Sequence, residues 1–428
     1  MWANVRKIWH AEELRKKIIY TFLMLLLYRF VSVIPSPGIT LGNADLSTVP
    51  LFDLVNMMTG GSLSQMTIMA MGITPYINAS IIMQLLCIAI PALERLQNDE
   101  TGAGREKINR ITRYVTVVLA AVQAVGIVMS LRQYGIQVKE GWFNYVMIGL
   151  CMAAGTALAM WIGERITDKG IGNGISLLIF VGIVSNLFNG IVSGFSTAGG
   201  TTAAGVNGWV NLIVIIVVAV IMTVAVTFVE LAERRVPLQI AKQTKGRRVY
   251  GGQNTRLTLK VVAVGVMPMI FAYSFLAFPG TIASMVSPRG GFTTWWNANM
   301  TQTSPLYIAV AALLIMAFTF FYSSISFDPA KQAEQLIMQG ATIPGQRGKN
   351  IRNYLQTTVS RLNLFAALFL AVLASIPALL MMGMKIRVPF AASSILIAVS
   401  VALETIRTVE GELSIRGIEM DVDRGGFM

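Results

Sequence analysis

The chain has 428 residues, of which only 13% are charged, against roughly 25% in an ordinary globular protein. Hydrophobic residues make up 54% and glycine adds 38 positions, a balance that a bilayer accepts and a soluble core cannot cover. It therefore reads as an integral membrane protein, and its net charge of +13 reports topology first. The single histidine, His10, lies in a charged N-terminal stretch and argues against histidine catalysis or a histidine metal cluster. Cys87 and Cys151 both fall inside apolar runs, which argues against a disulfide framework or a paired-cysteine metal site; both read as small buried apolar residues.

About 20 mainly apolar residues are needed to cross the hydrocarbon core. The first such window, 18–35, carries Arg29, and its basic-then-apolar pattern reads as a retained helix, because Pro35, Ser36 and Pro37 replace a cleavage site. Uncharged windows follow at 66–93, 114–131 and 141–163. The long uncharged stretch 170–229 splits at a polar middle, Asn189 to Gly208, into two spans. Further spans lie at 261–288, from Pro305 to about 327, at 362–384, and from Pro389 to Ile406, for ten in all. With the N-terminus inside, the cytoplasmic segments hold 28 Lys and Arg and the outer segments 5. That asymmetry puts both termini on the cytoplasmic side.

Two short segments repeat. Gly72 to Ala79 (GITPYINA) and Gly265 to Ala272 (GVMPMIFA) share G-[IV]-x-P-x-I-x-A, and Ser176 to Ile179 (SLLI) pairs with Ser394 to Ile397 (SILI). Both pairs relate spans five apart, the pattern of an inverted repeat, 1–209 against 210–428, with a pathway at the interface. Pro75 and Pro268 each remove a backbone donor near the start of a span and are expected to kink the helix there. Spans 2 and 7 then either line the path or are ordinary kinked helices.

No Asp, Glu, Lys or His lies well inside a span; Glu230 and Glu404 stand at cytoplasmic ends, and Arg29 is left to snorkel or to pair with backbone carbonyls. Ion-coupled transporters need midplane ionisable groups, whereas a pore closed by a hydrophobic constriction does not. Gly340 to Gly345 has Walker spacing but continues with Gln346 and Arg347, and Gly170, Gly172 and Gly174 follow no strand. No enzyme motif and no cofactor site is read.

Between spans 1 and 2, Pro50 starts and Gly60 and Gly61 end a short apolar stub containing Leu51, Phe52, Leu54, Val55, Met57 and Met58. It is too short to span. Either it folds back to close a pore, or it lies at the interface. The loops 230–260 and 328–361 carry eight and five basic residues; they are topology signals on solvated loops, or a platform for an acidic partner or ribosomal RNA phosphates.

Four stretches carry a resemblance: Met71 to Leu86 (MGITPYINASIIMQLL), Gly170 to Ser176 (GIGNGIS), Gly246 to Tyr250 (GRRVY) and Ile343 to Arg347 (IPGQR). Together and in order they resemble the SecY family, channel subunits of the bacterial protein translocase, over nearly the whole chain. The resemblance implies an all-α polytopic fold, two inverted five-helix halves in a clamshell around a central pore, with a lateral gate between spans 2–3 and 7–8. It implies that the segment at about 50–61 is a plug. By motif match the pore ring comprises Ile73, Ile77, Ile175, Ile179, Ile270 and Ile397, with Pro75 and Pro268 as helix breakers at the gate. Arg247, Arg248 and Arg347 match positions that engage the motor ATPase SecA and the ribosome. The small subunits SecE and SecG, signal-bearing polypeptides and the lipid of the bacterial plasma membrane are the other implied partners.

The chain departs from the family pattern at Thr258 and Val262, where Pro and Asn are usual. It departs again at Gln346 and Gly348, and where Ala391 opens the last span. The expected function is a passive channel passing unfolded chains across the membrane and releasing membrane helices sideways. The alternatives are an accessory translocase with narrower clients, or a secondary transporter for a small solute.

Overall fold

The computed structural model describes residues 11–41, 56, 59–97, 102–131, 136–138, 141–197, 208–240, 243–245, 248–250, 254–262, 265–286, 290–301, 304–345, 349–384 and 392–415. Helix α1 (Glu12–Val31) buries Leu14, Thr21 and Tyr28, spaced two turns apart, and leaves Phe22, Leu23, Leu26 and Phe30 exposed. A strongly apolar exposed face on a helix this long is one that lipid or a partner protein covers. Strand β1 (Ile39–Leu41) follows.

The expected span at 66–93 begins as a helix only at Thr74. Residues 59–73 form successive turns, with Met66 and Gly72 at positive φ, and α2 runs Thr74–Ala89. Pro75 stands at the second position of α2. There its missing N–H has no helical partner to lose, so it starts the helix and does not kink it. The sharp bend comes later, where α2 gives way to α3 (Pro91–Gln97) at 110°, since Pro91 holds Ile90 in extended conformation.

Helix α4 (Ala103–Leu131), strand β2 (Ile136–Val138) and helix α5 (Trp142–Lys169) come next. Thr112, Thr116, Ala120, Ala124 and Val128 form one buried row along α4. Against it α5 packs Ile148 and Met152, and Gly149, where a Cβ would strike Val125, lets the two helices come close. Helices α6 (Gly174–Thr197) and α7 (Gly208–Leu231) confirm that 170–229 contains two helices. Strands β3 (Glu233–Ile240), β4 (Gln243–Lys245), β5 (Arg248–Tyr250) and β6 (Asn254–Lys260) lead to α8 (Met267–Val286). Pro268 stands second in α8, as Pro75 does in α2, and the interior proline is Pro279. The chain closes with α9 (Gly291–Asn299), α10 (Pro305–Ser326), α11 (Pro329–Met338), β7 (Ala341–Thr342), α12 (Lys349–Met384) and α13 (Ala392–Ile415).

Among the described residues six helices are long and apolar enough to cross a membrane, or seven if the bent pair α2 and α3 is one span. The other windows expected to span hold α1, α8 and α13. Charged residues crowd the first turns of α1 and the last turns of α13.

Two compact units are formed: Met1–Leu212 with Ala277–Thr301 and Pro389–Met428, and Ile213–Leu276 with Gln302–Val388. In the first, Leu63, Met66, Ala70 and Met71 of the turn segment pack with Ala124, Val128, Ile148 and Met152. Non-helical backbone is tolerated at membrane depth when protein surrounds it. Here Ser36 N–H donates to the Met66 carbonyl at 2.9 Å and Ile68 N–H to that of Ile34 at 3.0 Å. Gly155 on α5 makes the approach possible, since a Cβ there would strike the Ile68 carbonyl. Strands β1 and β2 pair antiparallel, Ile39 opposite Val138.

In the second unit, α8 and α10 meet through Phe271, which packs edge-on against Phe318 and Tyr322 at 5.9 and 5.6 Å between centroids. The segments 230–260 and 328–361, expected as loops, fold together there. Strands are ordered β6-β3-β7, with Val236 opposite Leu257 and Gln239 opposite Thr342. Val236, Leu238, Leu259, Ala333, Leu336, Ala341, Ile343, Ile351 and Leu355 give this sheet its own core with α11 and the start of α12.

Candidate functional site

Two helix starts in the first unit build the site. The Ile73 carbonyl accepts from Tyr76 N–H at 3.0 Å and Ile77 N–H at 3.1 Å, opening α2 so that Ile73 and Ile77 project one turn apart on one side. At the start of α6, Asn173 Oδ1 accepts from Ile175 N–H at 3.1 Å and Ser176 N–H at 3.4 Å, as a helix cap does. Thr167 Oγ1 accepts from Gly174 N–H at 2.9 Å. Thr21 Oγ1 of α1 accepts from Ile171 N–H at 3.1 Å. The glycine-rich run from Gly170 is thus the tight turn that delivers α6 to α1 and α5.

Tyr28, Ile73, Thr74, Ile77, Leu178 and Ile179 then line a recess too narrow to admit a water molecule. Three of the six ring candidates, Ile73, Ile77 and Ile179, therefore come together. Ile73 and Ile77 are 5% and 8% exposed. Ile73, Ile77, Leu178 and Ile179 give the recess four branched aliphatic side chains, with Thr74 and Tyr28 beside them, and a constriction of such side chains offers an ion little to replace its hydration. Ile175, one turn before Ile179, packs toward Gly163 of α5 and lies outside the recess lining. Ile397 is buried on α13, also outside that lining. Ile270 belongs to the second unit. Tyr28, Thr74 and Leu178 were not among the expected ring residues; Thr74 and Leu178 lie inside the repeated segments, and only contact reveals Tyr28.

Beside the recess sits Arg29, whose charge meets carbonyls, one of its two expected fates. Its Nη2 donates to the Val181 carbonyl of α6 and its Nη1 to the Gly60 carbonyl at 3.5 Å. Gly60 and Gly61 lie in the turns before α2, both at positive φ. Leu51, Phe52, Leu54, Val55, Met57 and Met58 of the expected plug lie outside the described residues. Asn56 is described, and two contacts the sequence did not suggest converge on it: Asn186 of α6 donates to its carbonyl at 2.9 Å, and its Oδ1 accepts from Ser64 N–H at 2.9 Å.

Charges gather at the helix ends expected to face the cytoplasm. Lys17 of α1 pairs with Glu412 of α13 above a cluster of Leu14, Ile171 and Leu413, and Arg113 of α4 pairs with Glu164 of α5 at 2.6 Å. The exposed Glu12 carboxyl is held below its ordinary pKa by the hydrogen bond and charge of Lys16. Of the expected partner-binding arginines, Arg248 opens β5 opposite Lys245, and Arg247 and Arg347 lie outside the described residues. Thr258 lies on edge strand β6, opposite Arg235. Val262 is buried.

Comparison with known proteins agrees with this architecture. Residues 67–406 match the SecY family model. Protein translocase subunit SecY of Streptomyces galbus is 40% identical over 433 residues, covering 96% of this chain and 98% of that one. That of Halalkalibacterium halodurans is 39% identical over 422 residues, with 96% and 98% covered. Among solved structures, one of a protein-conducting channel superposes with a TM-score of 0.67 at 19% identity, covering 95% of this chain and 94% of that one. Sec61 in the canine ribosome–channel complex from the endoplasmic reticulum gives 0.63 at 17% identity, with 95% and 94% covered. On the family match and the near full-length identity with its members, this chain belongs to the SecY family.

Proposed function

We propose that this chain is a passive, gated polypeptide-conducting channel of the bacterial plasma membrane, in which Ile73, Ile77 and Ile179 form part of the seal around a passing chain. The observation that carries this is their convergence on one recess too narrow for water. A ring of flexible aliphatic side chains parts for a polypeptide and closes behind it without binding it. Ile175, Ile270 and Ile397 complete the ring by motif match, and the segment 50–61 is the plug.

The fuller architecture is ten spans in two inverted halves, 1–209 and 210–428, opening as a clamshell with a lateral gate between spans 2–3 and 7–8. Both termini are cytoplasmic. Three pairings support this parity. Strands β1 and β2 join segments expected outside, β3 and β7 join segments expected inside, and Lys17 meets Glu412 near the two termini. Arg247, Arg248 and Arg347 are proposed to engage SecA and the ribosome, with SecE and SecG as small membrane partners.

The test is a disulfide trap. In a variant with Cys87 and Cys151 replaced by serine, Ile77→Cys is challenged with a signal-bearing chain carrying one cysteine and arrested during secretion. An adduct that requires both the signal sequence and SecA is expected. Absence of the adduct, where a known translocase control does crosslink, would sink the channel reading and bring solute uptake forward as the next assay.

A further inference from the structure

The structure assigns Arg29 and Asn186 as a two-point latch that holds the end of the stub shut against α6, a positioning role that rests on the plug reading above. Arg29 lies on a helix whose neighbouring positions face lipid or core. Among the described residues its side-chain partners are two carbonyls, Gly60 of the stub end and Val181 of α6. The second point is Asn186 Nδ2 on the Asn56 carbonyl at 2.9 Å, which also accepts from Gly61 N–H at 2.9 Å and Thr59 Oγ1 at 3.2 Å. Asn56 and Gly60 bracket the turn that Gly61 N–H closes on the Asn56 carbonyl, the first of the series leading to α2, so the latch grips both ends of that turn.

Three features suit these contacts to a releasable hold. A guanidinium on a neutral carbonyl is charge-assisted but leaves no buried carboxylate behind when it opens. Gly60 is at φ +71°, and any Cβ there would collide with the guanidinium, so glycine is required for the contact. Finally, Ile179, Val181 and Asn186 lie within two turns of α6, about 10 Å of helix. A chain that displaces Ile179 from the recess therefore acts on the helix that carries both latch points.

The experiment measures resting ion conductance and export of a substrate with a defective signal, for Arg29→Met, Asn186→Leu and Arg29→Lys, beside a variant lacking residues 51–58. Export of an intact-signal substrate and membrane level serve as references. Arg29→Met and Asn186→Leu are each expected to raise conductance and defective-signal export about ten-fold, equivalent to about 1.4 kcal/mol. Arg29→Lys, which can still reach one carbonyl, should restore much of the seal. If the deletion leaks but both latch variants stay tight at normal level, the latch is overturned and the plug stands. If the deletion also stays tight, the plug reading itself fails. Should Arg29→Met not accumulate, Asn186→Leu and Gly60→Ala decide the matter by the same readouts.

Discussion

At Ile77 a single side chain stands between a sealed and a wetted recess. Its aliphatic neighbours Ile73, Leu178 and Ile179 offer no partner for an amide, and the hydroxyls of Thr74 and Tyr28 cannot satisfy all of its donors and acceptors, so Ile77→Asn draws water into the recess. Resting ion conductance of reconstituted channels should rise several-fold, the result of roughly 1–3 kcal/mol of favoured hydration, and signal stringency should relax. Conductance equal to the parent would remove Ile77 from the ring. Tyr28 differs in kind: it is 1% exposed and belongs to the recess wall although no motif contains it. Arg29, next to it, shows how one charge can be kept in an apolar helix when carbonyls from two other segments close on it.

Among the elements, the paired basic segments 230–260 and 328–361 behave least like their sequence. Each is rich in basic residues and reads as a solvated loop, yet β3, β6 and β7 with α11 and the start of α12 enclose a core of nine buried side chains. Its alternation is short: Val236 and Leu238 point inward while Arg235 and Pro237 are exposed. Leu336→Ala on α11 should cost about 2–5 kcal/mol of local stability. Limited proteolysis of the membrane-embedded protein should then cut within 230–260 and 328–361 much faster, with the spans left intact. Equal protection of both proteins would show that the segments fold without a shared core.

For the whole molecule, the ten-span parity fixes which side of the membrane each connecting segment faces. Helix α9, whose Phe292, Trp295 and Trp296 cluster within 6.4 Å of one another, carries the aromatic composition of a membrane–water boundary and falls on the expected outer side. The hairpin of β4 and β5 falls on the inner side. In a cysteine-free background, Trp295→Cys should react with an impermeant maleimide from outside intact spheroplasts and Lys245→Cys only in inverted vesicles. Labelling of both from the same side would break the ten-span parity.

Much was legible from local composition. Windows of apolar residues located the helices, because transfer into a bilayer is close to a sum over neighbouring residues. The motifs around Ile73 and Ile179 located the recess, because they specify helix starts that local hydrogen bonds complete. Other features depend on residues far apart in the chain. The turns at 59–73 survive because α4, α5 and Gly155 surround them; hydropathy alone makes that stretch part of a helix. The prolines at 75 and 268 became starts, not kinks, once the preceding turns took positive φ. The carbonyl partners of Arg29, the node at Asn56 and the shared sheet of two basic segments arise from contacts across 31 to 152 positions. No window of sequence contains both sides of such a contact, and its energy exists only when folding brings them together.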